Sequence, residues 1–301
     1  MFTLFLVAAV VLRAEASGPP SRAGEPPLRV ELRARALVPG EPVRVLARAE
    51  EPIRSLTARF LDQEVYLAPE PGRETDRGEI WSGWAAIPLD QKPGRAGFEL
   101  EARTVAGRGA SLRLLVPIEE KRFPVERLRV ADRYVVPPPE EAERIERERK
   151  QLASIFATRT APLAPWGPFL PPVPGKPASP YGVRRILNGK PRAPHPGLDL
   201  PVPEGTPVRS AAAGRVVFAG ELYFSGRTVI LDHGAGLFTL YAHLSEVAVR
   251  EGARVRAGEP IGRSGATGRV TGPHLHWGAK IGERAFDPSA LFEAFLFEAR
   301  P

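Results

Sequence analysis

Proline and glycine set the first limit on what this chain can fold into. They occupy 34 and 29 of its 301 positions, and proline alone runs at about twice its usual ~5%. Proline removes a backbone donor and clashes with the preceding turn, so it breaks helices and interrupts central strands. The prolines are also clustered: eight fall among the twenty residues from 161 to 180, which marks a stiff extended connector. Between these breaks the apolar residues recur mainly with period two. An all-β chain of short strands follows, with at most one sizeable helix.

Two strand-rich regions flank the connector. In the first, residues 28–118, Leu28 to Ala34 alternates apolar and polar. Val43–Ala47, Leu56–Phe60, Ile80–Leu89, Phe98–Ala102 and Leu112–Ile118 continue the pattern between Pro-Gly and Gly turns. Six or seven short strands at this spacing predict an immunoglobulin-like β-sandwich. The region has no histidine and reads as a binding or spacer module. Residues 119–178 are read as a helix and Pro-rich connector. Glu140/Arg144, Glu143/Arg147 and Glu146/Lys150 stand four apart with the acid first, the favourable order on a helix. Their alternating signs predict a solvated face, and no nucleic-acid partner is expected. Trp166 and Phe169, inside the Pro-rich stretch, are expected to dock on a neighbouring domain. Residues 179–292 form the second β-rich domain, and 293–301 a tail.

Residues 1–16 read as a secretory signal peptide: an apolar run from Phe2 to Leu12, Arg13, then Ala14-Glu15-Ala16 as a small-x-small cleavage site. A buried N-terminal strand is the alternative. Eleven apolar residues fall short of the about 20 that span a bilayer, so no stable membrane insertion is expected. Residues 17–27 make a polar tether. With 43% hydrophobic and 26% charged residues, the chain is neither disordered nor a polytopic membrane protein. A formal net charge of +7 favours acidic partners without choosing among them.

The chain has no cysteine. Disulfides, thiolate metal sites, cysteine nucleophiles and a lipid-modified cysteine are therefore excluded. A metal would have to be held by His, Asp or Glu. All five histidines (195, 233, 243, 274 and 276) lie in the second domain. In His274-Leu275-His276 a strand would put both imidazoles on one face. They could share a metal, or one could ligate while the other acts on substrate. His195-Pro196-Gly197-Leu198-Asp199 resists a helix and fits a loop entering a strand, with Asp199 turned away from the core that takes Leu198 and Leu200. Alternation would place Thr239, Tyr241 and His243 on one face, lining the same cleft. Two His and one Asp would leave a fourth position open, the pattern of a catalytic zinc site. Gly262 to Gly272 lacks the Gly-Lys-Ser/Thr ending of a phosphate loop and is expected to form a mobile rim loop.

These pieces resemble the zinc metallopeptidases of the lysostaphin/LytM type, peptidase family M23. The resemblance runs from about Ser179 to Leu291. It rests on Ser179-Pro180-Tyr181-Gly182, His195-Pro196-Gly197-Leu198-Asp199-Leu200, Gly205-Thr206-Pro207-Val208 and Ala213-Gly214-Arg215-Val216. It continues through Asp232-His233-Gly234, Tyr241-Ala242-His243-Leu244, Gly258-Glu259-Pro260-Ile261-Gly262 and Gly272-Pro273-His274-Leu275-His276. The whole arrangement also looks like Gram-negative envelope members with an N-terminal β-domain. The resemblance implies a Zn2+ ion on His195, Asp199 and His276, and catalytic roles for His243 and His274, their division left open. It leaves His233 a structural residue. It further implies endopeptidase action on peptidoglycan peptides by a metal-activated water, in the periplasm or cell envelope. Oligomeric state is left open. The competing expectations are a non-catalytic, peptidase-like regulator that activates a separate cell-wall amidase, and a wall-binding adhesin built on the sandwich. A role for the connector in control of the cleft is a further expectation.

Overall fold

The computed structural model describes residues 10–15, 28–49, 51–75, 78–163 and 166–293. The chain divides into two compact units. One takes in the described residues up to Lys121 together with Trp166 and Glu293; the other holds 122–163 and 167–292.

Nine strands build the first unit: β1 (Val10–Glu15), β2 (Leu28–Ala34), β3 (Pro42–Ala49), β4 (Ile53–Phe60), β5 (Gln63–Val65), β6 (Leu67–Thr75), β7 (Gly78–Ala86), β8 (Gly94–Thr104) and β9 (Gly109–Ile118). They form two antiparallel sheets, ordered β1-β2-β3-β7-β6 and β5-β4-β8-β9. Without β1, this is the strand order of an immunoglobulin sandwich. The alternation in β8 buries Ala96, Phe98, Leu100 and Ala102, which pack with Val30, Leu32, Val45 and Val116 in one core. Strand β6 carries Pro69 and was not legible from propensity. It lies at the edge of its sheet, where a missing N–H breaks no ladder. Strand β1 pairs antiparallel with β2 from Val10↔Ala34 to Glu15↔Arg29, with Val10, Leu12 and Ala14 against the core. This is the alternative arrangement for the N-terminal run; residues 1–9 and 16–27 lie outside the described residues. Trp166 meets Trp84 edge-on, with ring centroids 6.0 Å apart. The buried Arg44 guanidinium lies over both rings and is paired with Glu70 at 2.8 Å.

The second unit contains β10 (Val125–Leu128), α1 (Ala142–Ala157), β11 (Arg184–Leu187), β12 (Lys190–Pro191), β13 (Gly197–Leu200), β14 (Pro207–Arg209) and β15 (Gly214–Leu222). It continues with β16 (Gly226–Asp232), β17 (Leu237–Val247), β18 (Arg254–Val255), β19 (Pro260–Ser264), β20 (Leu275–Ile281) and β21 (Arg284–Phe286). The main sheet runs β13-β20-β17-β16-β15-β18, with β14 and β19 attached through β17 and β21 through β20. A small sheet, β10-β11-β12, joins β10 parallel to β11. Part of the segment read as connector is thus built into this unit: β10 pairs with a strand almost sixty residues later, and α1 packs on the main sheet.

Both faces of the main sheet are covered. On one, Phe218, Ile230 and Phe238 receive Leu152, Ile155 and Phe156 of α1. On the other, Trp277 stacks on Phe292 at 5.1 Å and Phe169 meets the His233 ring at 5.1 Å. The Pro-rich stretch runs along this second face, its backbone bonded through Phe169 to Leu291, Leu170 to Ala211, and Pro172 to Arg209. Within α1 the pairs Glu143–Arg147 and Glu146–Lys150 form at 3.8 and 3.7 Å. The expected Glu140–Arg144 pair does not, because Glu140 sits in a preceding 3-10 turn. Arg144 instead grips Glu148 at 2.8 Å.

Candidate metal centre

The centre is assembled where β13 and β20 pair. Asp199 stands opposite His276, and Ala242 of β17 stands opposite His276 on the other side. Residues opposite one another in an antiparallel pair share a face. Asp199 and His276 therefore project from the face that α1 also covers, while Leu198, Trp277 and Tyr241 point to the other. His195, fully buried, precedes β13. Its Nε2 lies 2.9 Å from Asp199 Oδ1 and 3.0 Å from His276 Nδ1, and His276 Nδ1 lies 2.8 Å from the same Oδ1. Asp199, His195 and His276 thus converge on one point. Gly197 lies beneath the His276 ring: a Cβ there would stand 2.8 Å from Cε1 and 2.6 Å from the Trp277 carbonyl oxygen.

His274 and His243 stand beside this triad. His274 Nε2 is 3.6 Å from Asp199 Oδ1. The His243 ring centroid is 4.9 Å from that of His274 and 5.9 Å from that of His276. His274 shares the face of His276, as its two-residue spacing requires. His243 arrives by a different route from the one alternation suggests. Thr239 and Tyr241 occupy the far face, with Tyr241 opposite Trp277, and strict alternation would send His243 after them. Between the pairs Val229↔Tyr241 and Arg227↔Leu244 the register slips, so Ala242 and His243 together face Thr228. This bulge, with His243 at φ +64°, turns the imidazole to the metal-binding face. Left-handed backbone at a non-glycine costs about 1–3 kcal/mol, here held by the His243 amide on the Ser225 carbonyl at 2.9 Å.

Backbone carbonyls set the tautomers. His195 Nδ1 donates to Pro180 O (3.1 Å), His243 Nδ1 to Thr267 O (2.8 Å) and His274 Nδ1 to Gly272 O (2.8 Å). A carbonyl can only accept, so each neutral ring carries its lone pair on Nε2. His195 Nε2 stands 2.9 Å from Asp199 Oδ1, so a cation, either a proton on Nε2 or a metal ion, is needed between the two atoms. Two imidazoles and one carboxylate suit zinc, with a fourth position open. Burial, reinforced by the charges of His276 and His274, pushes His243 down to about 3. Burial also pushes His276 down, against its hydrogen bond with Asp199. Burial works to raise the Asp199 carboxyl, but hydrogen bonds with His195 and His276 overcome it and hold the group well below the usual carboxylate range.

Sequence reasoning missed the support of Asp199. Its Oδ2 accepts from Arg185 Nη2, which also reaches Ser179 Oγ at 3.3 Å, while Arg185 Nε lies 3.4 Å from Glu126 Oε2. The Asp199 backbone bonds to Ser179 and Ala178. Arg185 and Glu126 are 59 positions apart and carry no local signal. His233 stays outside the centre. Its Nδ1 donates to the Ala213 carbonyl (2.8 Å), and its Nε2 accepts from Thr239 Oγ1 (2.7 Å). The loop after β19 is tied down, with Thr267 Oγ1 donating to the Leu244 carbonyl and accepting from the Arg227 amide.

Residues 193–288 match the model of peptidase family M23, a span that contains all five residues of the centre. A Pseudomonas aeruginosa crystal structure assigned to peptidase M23 superposes with a TM-score of 0.64 at 31% identity, covering 86% of this chain and 96% of that one. The chain belongs to peptidase family M23. Among curated relatives, DD-carboxypeptidase/endopeptidase Mpg of Neisseria meningitidis is 43% identical over 114 residues, 38% of this chain and 26% of that protein. Peptidoglycan DD-endopeptidase ShyA of Vibrio cholerae is 47% identical over 85 residues, 28% of this chain and 20% of that protein. The chain thus spans about a quarter or less of the length of these two curated relatives. The residues that brace Asp199, namely Glu126, Ser179 and Arg185, lie before the matched M23 span.

Proposed function

We propose that this chain is an exported zinc metalloendopeptidase that hydrolyses peptide bonds in peptidoglycan stems or cross-links. The observation that carries the reading is the convergence of His195 Nε2, Asp199 Oδ1 and His276 Nδ1 beside two further imidazoles with inward-facing Nε2 atoms. These three atoms would hold the ion, which when bound supplies Lewis acidity toward water and the scissile carbonyl. Arg185 fixes Asp199 so that Oδ1 faces the ion and Oδ2 does not. His243 and His274 each present a lone pair when neutral and an N–H when protonated. Between them they can take a proton from the attacking water, stabilise the oxyanion and deliver a proton to the leaving amine. All five positions of the centre are filled, which favours an enzyme over a non-catalytic regulator. The names of the Mpg and ShyA relatives support the substrate class, and the positive net charge suits an anionic wall.

The test is mass spectrometry of muropeptides released from purified sacculi, with and without a chelator. Zinc-dependent release, lost in His276→Ala, is expected. Intact sacculi in the presence of zinc would overturn the enzyme reading in favour of the regulator. No helix among the described residues is long and apolar enough to cross a membrane. Export is supported by the apolar run from Phe2 to Leu12 and the Ala14-Glu15-Ala16 site that follows it. Cleavage there would remove β1 and leave β2 at the sheet edge, and the mass of the mature chain checks it.

A further inference from the structure

A peptidase cleft must recognise more of its substrate than the peptide bond. Arg269 lies in the loop between β19 and β20, and that loop is anchored to His243 from two sides. Thr267 O accepts from His243 Nδ1. The Arg269 amide donates to the Phe224 carbonyl at 2.8 Å, and Ser225, next along, accepts the His243 amide. The Arg269 guanidinium lies over the Phe224 ring, 5.0 Å from its centroid, and the residue is half-buried. Among the described residues no carboxylate lies within 4 Å of it, and its guanidinium makes no hydrogen bond. Its charged neighbours are cations. Burial, with the charges of Arg185 and Arg192, lowers its pKa from the ordinary arginine value. Thr267, two residues before Arg269, bonds the His243 imidazole, and this places the Arg269 loop beside the centre. Arg192 is exposed and donates to the Val135 carbonyl, with no carboxylate within 4 Å among the described residues.

A partly desolvated cation with no acidic partner is unfavourable in the free protein. A ligand anion would offset that cost, and a guanidinium stacked on a ring keeps its donor edges open for bidentate bonding to a carboxylate. We propose that Arg269 is a specificity residue that binds a free carboxylate of the peptide substrate beside the scissile bond. This rests on the peptidase reading. Peptide stems offer two sources of that chemistry, a C-terminal carboxylate and a side-chain carboxylate.

The test uses the zinc-loaded full chain and stem peptides amidated at the C-terminus, at the side chain, or at neither. Dissociation constants of product-length peptides are measured beside kcat and KM on cross-linked substrates. The wild type should prefer one free acid over its amide by about tenfold or more, mainly in KM, as loss of a charge-assisted hydrogen bond predicts. Arg269→Gln should bring that ratio to near unity with zinc content unchanged and Tm not lowered, and Arg269→Lys should keep part of it. The arm that loses affinity on amidation identifies the carboxylate. Equal affinity of the wild type for all three peptides, or a preference that survives Arg269→Gln, would overturn the proposal. Selective binding without hydrolysis of any substrate would count against the peptidase reading and leave the carboxylate site standing.

Discussion

Replacing Gly197 by alanine probes the metal centre without replacing a proposed ligand. The added Cβ would meet the Trp277 carbonyl oxygen at 2.6 Å, His276 Cε1 at 2.8 Å and His276 Nε2 at 2.9 Å. The carbonyl belongs to β20, whose register against β13 pairs Gly197 with Gly278, so the backbone cannot withdraw without stretching the ladder. The ladder must strain at the carbonyl, and the ring must yield as well. A carbon contact relaxes near 3.5 Å, so the imidazole has to retreat by roughly 0.7 Å. That carries Nδ1 off its positions 2.8 Å from Asp199 Oδ1 and 3.0 Å from His195 Nε2. Metal–ligand distances tolerate only about 0.2 Å. Zinc affinity should fall by about 10–100-fold, the loss typical of a misdirected ligand. The metal-free unit should lose about 1–3 kcal/mol from overpacking, a drop of several degrees in Tm. Competition with a chromophoric chelator reads the first quantity, and thermal unfolding with and without zinc reads the second. Gly272→Ala, with open space around its Cβ, is the control and should leave both unchanged. Wild-type zinc affinity in Gly197→Ala would refute the reasoning, because it would mean the ring is not held where the contact requires.

Three further outcomes follow from the same geometry. Arg185→Gln should weaken zinc binding by about 10–100-fold and Glu126→Gln by less, with Arg185→Lys recovering part; chelator competition measures all three. His243→Ala should keep its zinc, checked by elemental analysis, while sacculus hydrolysis falls by about 10²–10⁴-fold. Burial pushes His233 from 6.5 to about 4. Its folded-state value is the lower one, so the unfolded chain binds more protons between those limits. The contribution is therefore whole above pH 6.5 and drains away as the pH falls toward 4, by up to about 3 kcal/mol. Urea unfolding at pH 7 and pH 5 should show a smaller pH-dependent loss in His233→Gln than in the wild type, and equal losses would count against this assignment.

The sandwich was legible because its half-buried strands leave a period-two record, as in Leu28 to Ala34 and Phe98 to Ala102, whereas the main sheet, covered on both faces, showed as short apolar runs between glycines, such as Thr228 to Leu231. Strand β6 left no such record, since Pro69 masks a strand that only its edge position permits. Nor did β10, four residues long, whose partner β11 lies far down the chain. A segment that reads locally as linker thereby becomes part of the second unit.

Local chemistry alone decided that any metal here must sit on histidine and carboxylate, and that His274 and His276 share a face, because both follow from residue type and strand geometry. Tertiary structure alone decided how His243 reaches that face. Alternation aims it at the far side with Tyr241, and the bulge opposite Thr228 reverses it. The same holds for the Glu126–Arg185 brace on Asp199. Register slips and ion pairs between distant segments are properties of how strands meet, and no single strand encodes them.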